Sequence, residues 1–377
     1  MSFKRNYNIL VTVLTILFLS SGCEKDVIKH DIDSEILSRM EEYNLPSVSA
    51  CIIRNNTIVW NKSYGYRDIQ TMSEATIETI YNVGSISKLM IVTAIMQLSE
   101  KGNIDIDKDI DDYLNISIRN PNFPESPITA RMLLTHTAGI AWPNTYQEAL
   151  GIWEHFEPDS APRPSEWIPQ FLIPSGMYYN PLIWKPTEPG KFELYSNIGS
   201  TVLAFLVEQI SGMDFRQYCQ ENIFTPLEMS NTSYYYQDFQ SDLIATLYED
   251  DNSMHPHFDD RIYASGGLRT SVSDLSIFLI AYLNGGAIGN NRILKENTIS
   301  QVFEIQNPLS GISLIWKARF GGWFGHTGGM VAGSASTAEI HPEKGIGLII
   351  FTNKHNSTVY PGHEIYGLVR QKAAEFY

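Results

Sequence analysis

The chain is poor in cysteine and in basic residues, and both shortages exclude classes of protein. Three cysteines among 377 residues are too few for a disulfide-rich secreted scaffold. Lysine and arginine number 27 against 42 aspartates and glutamates, and the resulting net charge of −15 argues against binding to a nucleic-acid backbone. The acidic balance is typical of a solvated surface, and the length favours two lobes over one core.

Signature motifs of several enzyme classes are also missing. The sequence has no Gly-x-Ser-x-Gly nucleophile elbow, no Walker phosphate loop and no dinucleotide fingerprint. His255, His257 and Asp259 are similar to the metal ligands of zinc hydrolases. They follow an acidic loop rather than an apolar strand, so we interpret them as a surface loop and predict no metal and no other cofactor. A zinc hydrolase is the alternative that activity in a chelator would exclude.

The N-terminal segment has the pattern of an export signal. Lys4 and Arg5 precede an apolar stretch at 9–19 that is too short to span a bilayer comfortably. It ends in Ser-Ser-Gly before Cys23, which is similar to a bacterial lipobox. We therefore predict a lipoprotein signal peptide at 1–22, a lipidated Cys23 and a tether at 23–35. The protein would be exported and membrane-anchored, periplasmic or at the cell surface; an ordinary signal peptide with an incidental cysteine is the alternative.

The strand patterns lie at both ends of the chain. Alternation around Asn55-Asn56 predicts a hairpin of 48–54 and 57–64, and further strands are predicted at 313–319, 322–326, 332–340 and 346–352. Helices are predicted at 88–99, 198–210, from Ser271 to Asn284, and at 364–376. We expect an α/β (α+β) fold: one antiparallel sheet built from both chain ends, 36–104 plus 300–377, flanked by helices. A mostly helical lobe, 105–299, would be inserted.

Ser85-Ile86-Ser87-Lys88 opens the predicted helix that is apolar on nearly every face. Residues three apart share a helix face, so the Ser85 hydroxyl and the Lys88 amine point the same way. Burial disfavours the charged form of a lysine. Lys88 could then accept or relay the proton that Ser85 must lose to act as a nucleophile. The structural alternative is an N-cap serine beside a lysine that reaches solvent.

Two further motifs follow in order: Tyr195-Ser196-Asn197 and His326-Thr327-Gly328. With Ser85-x-x-Lys88 they resemble the three motifs of the serine β-lactamase and D-alanyl carboxypeptidase superfamily, in particular its class C β-lactamase and esterase branch. The flanking Leu-Leu-Thr-His-Thr-Ala-Gly at 133–139, Pro-Gly at 189–190 and Ser-Gly-Gly-Leu at 265–268 match as well. The likeness extends from about Ile36 to Phe376.

The resemblance implies a serine hydrolase that forms a covalent acyl-enzyme at Ser85 with an ester, a D-amino-acid peptide or a β-lactam. The substrate would be a small molecule or a peptidoglycan-like peptide, and the membrane would be reached only through the lipid at Cys23. The alternative is a catalytically silent, penicillin-binding-like cell-wall binding protein. Many relatives carry lysine where this chain has His326, which makes efficient β-lactam turnover less expected.

The resemblance also implies a role for Tyr195, as general base on Ser85 and then general acid to the leaving group. A neighbouring Lys88 ammonium would lower the pKa of its phenol. Tyr113, Tyr178 and Tyr282 fit the Tyr-x-Asn pattern too. Tyr195 is preferred because the Pro-Gly turn precedes it and an apolar helix follows it.

The remaining roles implied by the resemblance concern substrate binding. Asn197 would bind a substrate carbonyl and hold Lys88. His326 and Thr327 would flank a substrate carboxylate, and Gly328 would let the substrate backbone approach. The amides of Ser85 and Gly329 would form the oxyanion hole.

Three other features are interpreted from the residues alone. His136 and the residues up to Gly139 are predicted to form a structural turn. Cys51 is predicted to be a buried free thiol. The aromatic stretch 142–184 would either wall the substrate cleft or pack the helical lobe.

Overall fold

The computed structural model describes residues 31–142, 152, 154–330 and 333–377. The predicted signal peptide, Cys23, the tether up to residue 30 and Ala332 lie outside the described residues. The helices are α1 Ile32–Glu42, α2 Lys88–Glu100, α3 Ala130–Leu134, α4 Pro164–Leu172, α5 Asn197–Ser211, α6 Phe215–Cys219, α7 Tyr263–Gly266, α8 Val272–Leu283, α9 Glu296–Phe303 and α10 Glu364–Ala374.

The strands are short in the middle of the chain and long at its ends. They are β1 Ser47–Arg54, β2 Thr57–Asp68, β3 Ser73–Glu74, β4 Ile80–Asn82, β5 His155–Phe156, β6 Thr232–Ser233, β7 Leu247–Tyr248, β8 Met254–His255, β9 Asp259–Asp260, β10 Arg269–Ser271, β11 Ala287–Ile288, β12 Asn291–Arg292, β13 Lys317–Arg319, β14 Trp323–Met330, β15 Ser334–His341 and β16 Ile346–Thr352.

Seven strands form one antiparallel sheet in the order β13-β14-β15-β16-β1-β2-β3. The first and last long strands are neighbours, with Cys51 opposite Ile349 and Ile52 opposite Leu348. This pairing joins the two ends of the chain and confirms the predicted fold class.

Alternation along each strand divides the core between the two faces of this sheet. Ala50 and Ile52 pack with residues of α1 and α10, whereas Cys51 and Ile53 pack with α2 and the helices of the middle region. Residues 32–377 form one compact unit. The boundaries proposed between sheet domain and helical lobe stay a prediction.

The helix predictions are confirmed with small shifts at their ends. Helix α2 is buried from Lys88 to Leu98, as its continuous apolar sequence predicts. Helix α5 begins where the Ser196 hydroxyl accepts the Gly199 amide, and ends at Gly212 with φ of +71°. In α8 the Ser271 hydroxyl accepts the Asp274 amide as the cap.

Two predicted strands are corrected. The strand expected at 313–319 is only Lys317–Arg319. The preceding residues make a tight turn in which Ser313 N–H donates to the Trp316 carbonyl and Ile315 has φ of +67°. The strand expected at 322–326 continues to Met330, because Gly328 and Gly329 pair with β15 instead of forming a turn.

Cys51 and Cys219 are both buried free thiols, which confirms the prediction for Cys51. Among the described helices, none is both long and apolar enough to cross a membrane.

Candidate active site

One turn of 3₁₀ helix, Gly84–Ser87, carries Ser85 into the start of α2. Three residues complete a 3₁₀ turn, so residue 85 and residue 88 align on one side. Two side chains hold the turn: the Asn82 carboxamide oxygen accepts the Gly84 amide at 2.9 Å, and the Ser87 hydroxyl donates to the Gly84 carbonyl at 2.6 Å. Ser87 also accepts the Leu268 amide at 3.0 Å, which ties the turn to β10.

The structure brings three predicted residues into hydrogen-bonding contact. Ser85 Oγ lies 2.7 Å from Tyr195 Oη and 2.9 Å from Lys88 Nζ. Lys88 is completely buried, and its amine donates to the Ser265 carbonyl at 2.8 Å. It also lies 5.0 Å from the centre of the Tyr195 ring. A hydroxyl, an amine and a phenol from distant parts of the chain therefore meet at Ser85.

The protonation states differ from the prediction for Tyr195. Burial holds the pKa of Lys88 well below its usual range, which Asp260 only partly opposes. A lysine whose pKa is lowered carries less positive charge, and its effect on the pKa of a nearby phenol is weaker. Burial raises the pKa of Tyr195, and the hydrogen bond with Ser85 offsets this only in part, although 44% of the residue's surface remains exposed. The expected lowering of the Tyr195 pKa was wrong, because burial of the phenol itself has the larger effect.

His136 contacts Tyr195 and both of its neighbours in the chain. The prediction of a structural turn at this place did not include these contacts. The Leu194 amide donates to the His136 carbonyl at 2.7 Å, and the Ser196 amide donates to His136 Nδ1 at 3.4 Å. The imidazole packs on the Tyr195 ring with centroids 4.7 Å apart. Since Nδ1 accepts, the ring hydrogen is on Nε2, which is buried without a hydrogen-bond partner among the described residues.

Strand β14 approaches the turn that carries Ser85 closely enough to require glycine. A Cβ on Gly328 would lie 2.0 Å from the Val83 carbonyl oxygen and 2.9 Å from the Ser85 amide nitrogen. A Cβ on Gly84, where φ is +50°, would lie 2.6 Å from the Gly329 amide nitrogen. The amide groups of residues 85 and 329 are thus brought to the same corner of the site.

His326 is neutral and presents an acceptor. Its Nδ1 lies 2.7 Å from the Thr327 carbonyl, and because a carbonyl can only accept, Nδ1 carries the hydrogen. Burial lowers the pKa of His326 to about 3. The free nitrogen, Nε2, therefore has a lone pair rather than a hydrogen. The ring in this state does not suit the predicted contact with a carboxylate, which needs a donor.

Ser265 holds Lys88, a role that was predicted for Asn197. Within the described residues, Asn197 makes no hydrogen bond with Lys88, whose second contact is the Ser265 carbonyl instead. Asn197 does border the cavity beside Ser85, and its Oδ1 is buried without a described partner. Its part in holding Lys88 was wrong, whereas its place beside the nucleophile suits contact with a substrate.

Two cavities meet at Tyr195. The larger, the acyl-side cavity, has a volume of about 540 Å³, and its described lining includes Ser85, Asn197, Gly329, Glu249 and Asp260. The smaller, the basic cavity, has a volume of about 260 Å³, and its described lining includes His136, Glu193, Lys317, Arg319, His326 and Thr327. Ser85 lines only the first of these two.

The alternative tyrosines have other partners. The Tyr178 hydroxyl accepts from Arg261 at 3.4 Å, the Tyr113 hydroxyl accepts the Asp105 amide at 2.9 Å, and the Tyr282 hydroxyl pairs with Thr93 at 2.7 Å.

The three residues of the zinc-like pattern, His255, His257 and Asp259, each contact different partners. Asp259 forms ion pairs with Arg216 at 3.3 Å and Arg269 at 3.1 Å. The His257 ring packs against Tyr236 with centroids 5.0 Å apart, and His255 lies 3.9 Å from Glu249. A carboxylate committed to two arginines is a poor metal ligand.

Trp142 and Trp184, which bound the aromatic stretch, have different surroundings. Trp142 borders the acyl-side cavity, whereas Trp184 is buried in the core. Each of the two interpretations therefore holds for part of this stretch; residues 143–151 and 153 lie outside the described part of the chain.

Comparison with known proteins identifies the family. A family model described as Beta-lactamase matches residues 32–369. "Putative penicillin-binding protein PbpX" of Bacillus subtilis (strain 168) is 28% identical over 267 residues, covering 70% of this chain and 61% of that protein. Protein flp of Staphylococcus aureus (strain MW2) is 23% identical over 68% of this chain and 49% of its own length. The chain thus spans about half to three-fifths of the length of these curated relatives.

Solved structures share the fold over most of the chain. An octameric penicillin-binding protein homologue from Pyrococcus abyssi superposes with a TM-score of 0.73 at 26% identity, covering 90% of this chain and 76% of that one. A β-lactamase/D-alanine carboxypeptidase from Pseudomonas syringae gives a TM-score of 0.70 at 19% identity, covering 92% and 96%. At that identity the second likeness is one of fold alone.

Proposed function

Since the chain belongs to the β-lactamase family, we propose that it is a serine hydrolase in which Ser85 forms a covalent acyl-enzyme. Its substrate would be an ester, a D-amino-acid peptide or a β-lactam. The observation that carries the proposal is the placement of Ser85 Oγ within 2.7 Å of Tyr195 Oη and 2.9 Å of Lys88 Nζ. A nucleophile needs a base within such reach.

Lys88 is the proposed base. In the structure the Lys88 amine donates to the Ser265 carbonyl and to Ser85 Oγ. To act as the base, a neutral Lys88 would keep the first hydrogen bond and accept the Ser85 hydroxyl hydrogen, while Ser85 Oγ accepts from Tyr195. When Ser85 Oγ attacks the substrate carbonyl carbon, its proton passes to Lys88. The raised pKa keeps the Tyr195 phenol protonated, so it serves as the acid that protonates the leaving group. Proton return from the Lys88 ammonium restores the phenol.

The amides of Ser85 and Gly329 are proposed to stabilise the oxyanion. Charge builds on the carbonyl oxygen as Ser85 attacks, and fixed amide donors in a partly enclosed site stabilise that charge without rearrangement. The close packing of Gly84 and Gly328 supports this role, because it leaves no room for side chains between strand β14 and the nucleophile turn.

The two cavities receive the two halves of the substrate in this proposal. The acyl group stays bonded to Ser85 and therefore fills the acyl-side cavity beside Asn197. The leaving group departs next to Tyr195, toward Thr327 and the basic cavity. Lys317 and Arg319 border that cavity, and although they pair with Glu193 at 3.9 Å and Glu339 at 3.5 Å, the two cations against the one carboxylate of the described lining favour an anionic leaving group. His326, with its Nε2 lone pair, would accept a hydrogen bond from the substrate.

A fluorophosphonate probe followed by peptide mass spectrometry tests the proposal. The wild type should gain the probe mass on the peptide that contains Ser85, and Ser85→Ala should gain none. Unchanged labelling of Ser85→Ala would contradict the nucleophile assignment. An unlabelled wild type that still binds penicillin without turnover would favour a catalytically silent binding protein instead. Rates with nitrocefin, p-nitrophenyl acetate and D-alanyl-D-alanine peptides would then identify the substrate class.

Membrane attachment through Cys23 is a second proposal, supported by the lipobox-like Ser-Ser-Gly-Cys sequence. Lipidation would anchor the mature protein by its first residue. Cys23→Ser should release the protein from the membrane fraction and abolish incorporation of labelled palmitate. Retention of both properties in that variant would contradict the proposal.

A further inference from the structure

Short strands from the middle of the chain form one wall of the acyl-side cavity. Strand β5 pairs with β9, with His155 opposite Asp260. Neighbouring residues on a strand face opposite sides. Asp259 accordingly faces the core, where it pairs with Arg216 and Arg269, and Asp260 borders the cavity. The two ion pairs of Asp259 fix this strand to the core. The carboxyl group that borders the cavity is therefore that of Asp260.

A second carboxyl group and several aromatic rings complete this wall. Glu249 borders the cavity with its side chain 39% exposed, at 3.9 Å from His255. The Phe258 ring stacks on His155 at 4.0 Å and meets His255 edge-on at 5.2 Å. Carboxylates next to aromatic faces are the combination that attracts organic cations, through charge and through the ring quadrupole.

The sign of charge reverses across the catalytic centre. Among the described lining residues of the acyl-side cavity there is no lysine or arginine, and the acidic groups are Glu249 and Asp260. The basic cavity on the other side of Tyr195 is bordered by Lys317 and Arg319, with Glu193 as the one carboxylate in its described lining. An anionic acyl group would meet two carboxyl groups and no lysine or arginine in the described lining, whereas a cationic group would be stabilised there. Lys88 and Arg269 act on Asp260 only from outside this lining. Burial raises the pKa of Asp260 to about 7, and a bound cation would favour its ionised form.

We propose that the acyl-side cavity selects substrates whose acyl part carries a cationic nitrogen, held by Asp260 and Glu249 against the ring of Phe258. The proposal rests on the proposed hydrolase function, because the cavity receives the acyl part of a substrate only if Ser85 is acylated. The cation takes no part in bond changes. The bond from Ser85 Oγ to the carbonyl carbon forms as the bond to the leaving group breaks, and water later releases the acid.

A pair of matched esters tests this selectivity. One is the p-nitrophenyl ester of γ-trimethylammoniobutyrate, and the other is its isostere with a quaternary carbon in place of the nitrogen. The kcat/KM of each ester is divided by its own rate of hydroxide hydrolysis. The wild type is expected to prefer the cation by about tenfold or more, the size of one cation–aromatic contact with a screened ion pair. The preference should fall as salt is added.

Variants assign the preference to the wall. Glu249→Gln and Asp260→Asn should each reduce the preference for the cationic ester to about threefold or less, because each removes one partly screened charge. The ratio of the two esters isolates this effect even if a variant slows both of them. Glu343→Gln removes an exposed carboxylate from the turn before β16 and should keep the wild-type ratio. A ratio unchanged in both wall variants would overturn the inference.

Failure of this inference and failure of the hydrolase proposal have different signatures. If Ser85 is labelled by the fluorophosphonate and both esters are cleaved at equal normalised rates, or the neutral one faster, selectivity for a cation is refuted and the hydrolase stands. If Ser85 is not labelled and neither ester is cleaved, both proposals fall together.

Discussion

Replacing Gly328 by alanine is expected to slow the reaction at Ser85 by about a hundredfold while the protein remains folded. The added Cβ would lie 2.0 Å from the Val83 carbonyl oxygen, whereas ordinary contact begins near 3.4 Å, so β14 and the nucleophile turn must separate by about 1.4 Å. A shift of about 1 Å between reacting groups is enough to cost about two orders of magnitude in rate. The predicted oxyanion donor at Gly329 would move with the strand.

The measurement is the second-order rate of fluorophosphonate modification, together with kcat/KM for p-nitrophenyl acetate and a thermal melt. Strain from the inserted methyl group should cost about 1–3 kcal/mol of stability. Gly367→Ala is the control, because a Cβ at that exposed position of α10 meets nothing within 4 Å. It should leave the labelling rate unchanged and raise stability by about 0.5–1 kcal/mol. Wild-type labelling and melting of Gly328→Ala would refute the close approach.

Three further predictions concern the residues around Ser85. Lys88→Met should lower kcat by about 10²–10⁴-fold, yet raise Tm at neutral pH, because burial lowers the pKa of the amine and proton binding therefore favours the unfolded chain. That gain should shrink as pH approaches about 10.4, where the unfolded lysine also loses its proton; a gain that does not change with pH would contradict the neutral amine. Tyr195→Phe should lower kcat by about 10²-fold or more, whereas Tyr178→Phe, whose hydroxyl meets Arg261, should stay within about twofold of wild type. Equal rates for the two variants would exclude the phenol of Tyr195 from the reaction. His136→Phe keeps a ring beside Tyr195 but loses the acceptor for the Ser196 amide, so kcat should fall by about two- to tenfold with KM little changed; a change in KM alone would indicate a contact with substrate instead.

Local patterns predicted much of the fold because their causes are local. Period-two alternation around Asn55-Asn56 is sufficient to identify the hairpin β1–β2, and Ser196 and Gly212 identify both ends of α5. The exceptions have tertiary causes. Strand β13 is short because Ile315 adopts a left-handed conformation in a turn packed on the helical region, which no alternation pattern reveals.

Site residues that belong to a sequence motif could be predicted. Contacts that arise only when distant segments fold together could not. Spacing alone links Ser85 to Lys88. The acceptor for Lys88 is a backbone carbonyl, that of Ser265, and any side chain at that position would provide it. The Leu-Leu-Thr-His-Thr-Ala-Gly sequence was a signal for His136, but its contacts with residues 194–196 depend on how two distant loops meet. The pKa direction of Tyr195 depends on the burial of its own phenol, which is decided by tertiary packing and not by the local sequence.

Rapid-quench intact-mass spectrometry detects a covalent intermediate at Ser85. During turnover of a slow ester or β-lactam, a population of enzyme should be heavier by one acyl group, with the added mass on the peptide containing Ser85 and absent from Ser85→Ala. Turnover by Ser85→Ala at the wild-type rate, with no acyl mass on the wild type, would contradict this intermediate.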